Sequence, residues 1–242
     1  MTGQQGTHRT EFYTPECDKQ PAEAQEDGPA QRPRVLLIGD SISQGYTPLV
    51  RELLKGCCTV ARPRANCGDT RAGLAHLDAW LGEQPWDLIH FNWGLHDLCY
   101  RHPEATVYGN RDKIRGTISV PLEDYRRNLE ALVRRLETRG RRLVWASTTV
   151  VPPDEAGRYE GDDVRYNEAA AEVMARHGIP INDLHALTKG FAPSLFTCPG
   201  DVHFSGPGTQ RIAEQVAQCI RKHLAGRGEQ TGAEATVGNP NP

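Results

Sequence analysis

The run Val35-Leu36-Leu37-Ile38, set between Arg34 and Gly39, constrains the fold more than any other stretch. Four successive apolar residues with no polar alternation describe a strand covered on both faces, which places it inside a parallel sheet flanked by helices. Gly39 permits the sharp exit such a strand needs at its end. The rest of the chain repeats the theme. Thr47-Pro48 reads as an N-cap followed by proline at the first helical position, and Leu49, Val50, Leu53 and Leu54 form a helical stripe ended by Gly56. Strands are expected at 57–61, 87–93, 142–147 and 179–181. Helices are expected where Leu74, Leu77 and Leu81 share a face, over 164–176 before Gly178, and over 206–224 with Ile212, Val216 and Ile220 on one side. The clearest period belongs to Leu122, Tyr125, Leu129, Leu132, Val133 and Leu136, stopped by Gly140. Strand alternating with helix predicts an α/β three-layer sandwich, a five-stranded parallel sheet with helices on both faces.

A chain of 242 residues supports one good-sized core. Its 38% hydrophobic and 24% charged content is ordinary for a globular protein, and a net charge of −3 argues against a general nucleic-acid or membrane-surface binder. No apolar run has the length of a membrane span, and the polar N-terminus shows no secretory signal. A cytoplasmic protein is therefore expected, or a secreted one if a signal has been removed. Residues 1–33 and 226–242, rich in Gln, Glu, Pro, Gly and Thr, read as disordered flanks of a domain over 34–225. The seven cysteines include no C-x-x-C pair and no zinc-like spacing with histidine, so most are read as reduced small hydrophobes and no metal site is expected. The lysine of a phosphate-cradling Gly-x-x-x-x-Gly-Lys loop is missing from residues 39–45, and no cofactor is implied.

Asp40 and Ser41 follow the first strand, in the loop where parallel sheets bind their ligands. By itself Gly-Asp-Ser is an ordinary turn with an N-capping residue. Four separated stretches together say more. Gly39-Asp40-Ser41-Ile42-Ser43 resembles the first signature block of the SGNH/GDSL hydrolase family. Asn66-Cys67-Gly68-Asp69-Thr70 resembles its second, Gly94-Leu95-His96-Asp97 stands where the family has Gly-x-Asn-Asp, and Asp201-Val202-His203 stands where it carries its histidine. Order and spacing match over roughly residues 33–225. The resemblance implies a flavodoxin-like sheet and a serine esterase.

Ester hydrolysis needs a nucleophile, a base, something to orient the base, and donors for the oxyanion. Ser41 is the expected nucleophile and His203 the base, its imidazole titrating close to neutral pH. The family's carboxylate stands three residues before the histidine, a position held here by Gly200. Asp201, two residues before, is expected to substitute, with a backbone carbonyl and a Ser-His dyad as the alternative. The resemblance suggests the Ser41 and Gly68 N–H groups as oxyanion donors, with His96 in place of the usual asparagine and Asn92 in reserve. Asp97 reads as a structural acceptor of loop N–H groups. The long stretch 99–121, with Tyr100, Arg101, His102, Tyr108 and Arg111, reads as a substrate-side flap compatible with a sugar or an acidic glycan. Asp40, Asn92 and Tyr100 are the expected substrate contacts. The leading expectation is a small-acyl, above all acetyl, esterase acting on a carbohydrate or other small ester. An acyltransferase and a degenerate ligand-binding protein are the alternatives. Oligomeric state is not legible.

Overall fold

The computed structural model describes residues 23–24 and 32–225. In chain order the strands are β1 (Glu23–Ala24), β2 (Arg34–Ile38), β3 (Thr59–Arg62), β4 (Leu88–Phe91), β5 (Tyr100–Arg101), β6 (Thr117–Ile118), β7 (Leu143–Ala146) and β8 (Ile181–Asn182). The helices are α1 (Ser41–Leu53), α2 (Thr70–Leu81), α3 (Leu122–Glu137), α4 (Asp162–Arg176), α5 (Leu184–Lys189) and α6 (Gly206–Ala225). The main sheet runs β1-β3-β2-β4-β7-β8. Its five strands from β3 to β8 are parallel, in the flavodoxin-like order expected from the sequence. Packing of α1 on α6, and of α2 on α3 and α3 on α4, supplies the outer layers.

Val35 to Ile38 of β2 are fully buried, as a central strand covered on both faces requires. The sheet has one additional member. Residues Glu23 and Ala24, inside the segment expected to be disordered, pair antiparallel with Arg62 and Ala61. The remainder of that segment before residue 32, and the tail 226–242, lie outside the described residues.

Two helices depart from expectation. The first starts at Ser41, not at Thr47, because the Asp40 side chain accepts from Ile42 N (2.9 Å) and caps it there. Pro48 consequently lies inside α1, and the Thr47 hydroxyl bonds back to Ser43 O (2.6 Å). The six-residue α5 was too short to leave a period in the sequence.

The loops at the carboxyl ends of β2, β3, β4 and β7 are bound to one another through buried groups. Trp93 Nε1 donates to Cys67 O (3.2 Å), and Trp93 O accepts from Tyr125 Oη (2.9 Å) and Thr148 Oγ1 (3.2 Å). Asp97 Oδ1 accepts from both Thr70 N (2.9 Å) and Thr70 Oγ1 (2.6 Å), joining two loops 27 residues apart. The stretch 99–121 contains the hairpin β5–β6. It is held to its surroundings by Ser119 N to Cys99 O, Val120 N to Asp97 O, Tyr100 N to Gly157 O and Lys113 N to Ala156 O, all at 2.7–2.9 Å. Among the described residues no helix is long and apolar enough to cross a membrane.

Thr148 approaches so closely that a Cβ on Gly94 would stand 1.9 Å from its Oγ1. Gly94→Ala is therefore expected to destabilise the protein by about 1–3 kcal/mol, read from the denaturant midpoint, and a change within error would refute this packing account.

Burial pushes the Asp97 carboxyl up to about 8, against the lowering effect of the two Thr70 hydrogen bonds. The folded protein thus keeps a proton that the unfolded chain releases near pH 4, so this contribution to stability is full below pH ~4 and is lost as pH rises towards 8. Asp97→Asn, which cannot ionise, is expected to gain stability relative to wild type as pH rises from 5 to 8, by at most ~1.4 kcal/mol per pH unit. Parallel denaturation curves with a pH-independent difference would exclude a protonated Asp97.

Candidate active site

Because α1 begins directly where β2 ends, Ser41 occupies the first helical position. The backbone N–H there has no acceptor within the helix, and it points out of the positive end of the helix dipole. The Ser41 hydroxyl meets a residue 162 positions away: Oγ lies 2.9 Å from His203 Nε2. On the other side of the ring, His203 Nδ1 lies 2.6 Å from Asp201 Oδ1, which also accepts from His203 N (3.0 Å). An ionised carboxylate only accepts, so the Nδ1 proton faces Asp201 and the Nε2 lone pair faces the serine. Burial by itself would raise the Asp201 carboxyl. Its bonds from the His203 backbone and ring, with the fields of His203 and Arg111, bring it below the usual range instead. It is therefore ionised at neutral pH.

The residue before this carboxylate explains the shift in spacing. Gly200 has φ +73°, and a Cβ there would stand 2.9 Å from Asp154 O. A side chain is strained and crowded at position 200, whereas Asp201 reaches the imidazole by curling back on its own turn.

Ser41 and His203 open on a cavity of about 880 Å³ whose wall also includes Asn66, His96, Arg101, Tyr108, Arg111, Arg158 and Asp201. His96 is half-buried and has no hydrogen-bond partner among the described residues. Desolvation lowers its pKa, and Arg158 and Arg101 add to this against the opposing field of Asp40, so the ring is neutral at pH 7.

Four of the expected site residues are engaged in bonds or contacts of their own. Gly68 is not in the cavity wall; its N–H donates to Asn66 Oδ1 (3.0 Å), closing a local turn. Asp40 borders the cavity, but its side chain is 3% exposed and committed to capping α1. Asn92 turns into the sheet, where Nδ2 donates to Ala146 O (2.7 Å). Tyr100 packs edge-on against Tyr159 (5.2 Å between centroids), outside the cavity wall. Tyr108, from the same flap, stands in the wall instead and is 79% exposed.

Sequence reasoning missed Arg158 and Glu155 altogether. Glu155 is fully buried, and its Oε1 accepts from Arg111 Nη1 (2.6 Å) and Arg158 Nη1 (2.9 Å), while Oε2 accepts from Gly157 N (2.7 Å). Arg158 Nε also donates to Leu95 O (2.7 Å). The Glu155–Arg158 spacing of three is common to many surface pairs, and Arg111 and Leu95, which tie the pair to the site, are too remote to be read from spacing. No group of three or more His, Cys, Asp or Glu side chains fit for a metal occurs among the described residues.

Comparison with known proteins agrees with this architecture. The acetyl xylan esterase AlAXEase superposes with a TM-score of 0.61 at 14% identity, covering 77% of this chain and 99% of its own. A lipase/acylhydrolase from Enterococcus faecalis gives 0.61 at 20% identity, covering 78% and 96%. Axe2, an acetylxylan esterase from Geobacillus stearothermophilus, gives 0.60 at 15% identity, covering 78% and 94%. None of the curated proteins matches the chain in sequence. The model of the GDSL-like lipase/acylhydrolase family matches residues 37–211, from the end of β2 well into α6, and the chain thus belongs to this family of carboxylic ester hydrolases.

Proposed function

We propose that the protein is a serine esterase that removes small acyl groups, acetyl foremost, from a carbohydrate or similar polar alcohol through an acyl-enzyme on Ser41. The observation that carries this reading is the relay Asp201–His203–Ser41, with contacts of 2.6 and 2.9 Å, opening on a cavity bordered by arginine and tyrosine side chains. The choice of acetyl rests on the likeness to structures described as acetyl xylan esterases.

In this mechanism His203 Nε2 takes the hydroxyl proton as Ser41 Oγ bonds to the acyl carbon, and Asp201 stabilises the resulting imidazolium. Negative charge gathers on the former carbonyl oxygen. The Ser41 N–H, at the head of α1, and a neutral N–H of His96 are its donors. Gly68 N–H joins them only by exchanging its bond to Asn66. The C–O bond to the alcohol then breaks, and His203 returns the proton to the departing oxygen. Water, deprotonated by the same imidazole, attacks the acyl-enzyme and releases the carboxylic acid with Ser41 restored.

A fluorophosphonate probe is expected to label folded wild-type protein at Ser41, and Ser41→Ala is expected to lose labelling together with at least ~10³-fold of its hydrolysis of 4-nitrophenyl acetate. Absence of labelling in folded protein would overturn the nucleophile and favour a binding protein. Acetyl delivered to an added sugar, in place of free acetate, would reassign the reaction to transfer.

His96→Ala is expected to lower kcat ~10²-fold with little change in KM, and His96→Asn, which keeps an N–H donor, to retain most of the rate. Equal kcat in all three proteins would remove His96 from the mechanism.

A further inference from the structure

The cavity wall facing Ser41 gathers three guanidinium groups. Arg101, Arg111 and Arg158 all stand in that wall, in a chain whose net charge is −3. Glu155 is the one carboxylate that Arg111 and Arg158 share. Arg101 has only neutral partners: Nε donates to Ser119 Oγ (3.2 Å) and Nη1 to Gly109 O. The other acids bordering the cavity are already engaged, Asp40 with the head of α1 and Asp201 with His203. Arg101 has no carboxylate partner, and Arg111 and Arg158 share one, so all three keep donor capacity towards the cavity although Asp40 and Asp201 also carry charge on its border.

Those guanidinium groups are also held in place. Arg111 is fixed through Nε to Tyr108 O (3.0 Å) and Nη1 to Glu155, and Arg158 through Nε to Leu95 O and Nη1 to Glu155. The side chain of Arg158 is only 5% exposed and that of Arg111 21%. Each of the three keeps its Nη2 amino group without a partner among the described residues. Fixed forks with spare donors suit a flat or tetrahedral oxyanion, and a poorly hydrated cation gains most from such a partner. The field reaches the centre of the site, since Arg101 and Arg158 both act on His96 and Arg111 acts on Asp201.

We infer that the substrate is an ester whose alcohol portion carries an anionic group, a carboxylate or a sulfate, and that Arg101, Arg111 and Arg158 bind this group while the acyl carbon lies at Ser41. The inference rests on the esterase reading for the position of the acyl group, but the anion site itself does not depend on turnover.

Three monoacetylated methyl glycosides that differ only at C6, as hydroxymethyl, carboxylate or 6-sulfate, test it. At low ionic strength kcat/KM is expected to be about tenfold or more higher for at least one charged ester than for the neutral one, the gain lying in KM and shrinking as salt is raised. Which charged arm leads distinguishes carboxylate from sulfate. In Arg101→Gln and Arg111→Gln the charged-to-neutral ratio, taken within each variant so that a general loss of activity cancels, is expected to fall several-fold. Calorimetric binding of the deacetylated glycosides to Ser41→Ala supplies a second measure that needs no catalysis. Charged glycosides binding tighter than the neutral one, without any turnover in wild type, would uphold the anion site and overturn the esterase reading. Turnover that depends on Ser41 but treats all three esters alike, with equal binding to Ser41→Ala, would overturn the anion site and leave the esterase standing.

Discussion

The carboxylate of Asp40 closes the turn from β2 into α1, and the rest of the site is built on that closure. By accepting from Ile42 N it starts the helix one residue after itself, which fixes Ser41 at the end of a buried strand and at the head of a helix simultaneously. The strand supplies rigidity, because all of its inward and outward neighbours are core. The helix supplies an unpaired N–H and a favourable dipole. A start about two turns later, as Thr47-Pro48 suggests, would leave the serine outside the helix, without that N–H or dipole.

The opposite half of the site comes from the other end of the sequence and tolerates a different spacing. What matters is a carboxylate oxygen on Nδ1, not the number of residues between them. A left-handed residue at Gly200 places the chain so that Asp201, accepting from both the backbone and the ring of His203, fills that role from two positions away. The same economy holds at Asp97, whose two bonds to Thr70 fix the loops bearing Gly68 and His96 relative to each other.

How much of this was legible follows from the range of the interactions concerned. Elements made by local periodicity were readable: the stripe from Leu122 to Leu136 became α3 over Leu122–Glu137, and the apolar run after Arg34 became the central strand. The start of α1 was misread because two capping signals compete within eight residues, and the nearer one to the strand wins. The meeting of Ser41 with His203 was legible only because the resemblance ties distant blocks together. Gly68, Asn92 and Tyr100 were placed in the site by their proximity to signature blocks, and they turn away because a neighbouring acceptor or ring satisfies each of them first. Glu155 and Arg158 pair with each other at a spacing of three, but nothing local ties them to the site, since Arg111 is 44 residues from one and Leu95 is 63 residues from the other.

The hairpin β5–β6 is bonded at both roots and along its length, and buried Glu155 anchors Arg111 beside it. Moving such a wall would first break these bonds. An ester arriving at Ser41 thus meets a wall already folded into place, and its ordering does not have to be drawn from the energy of binding.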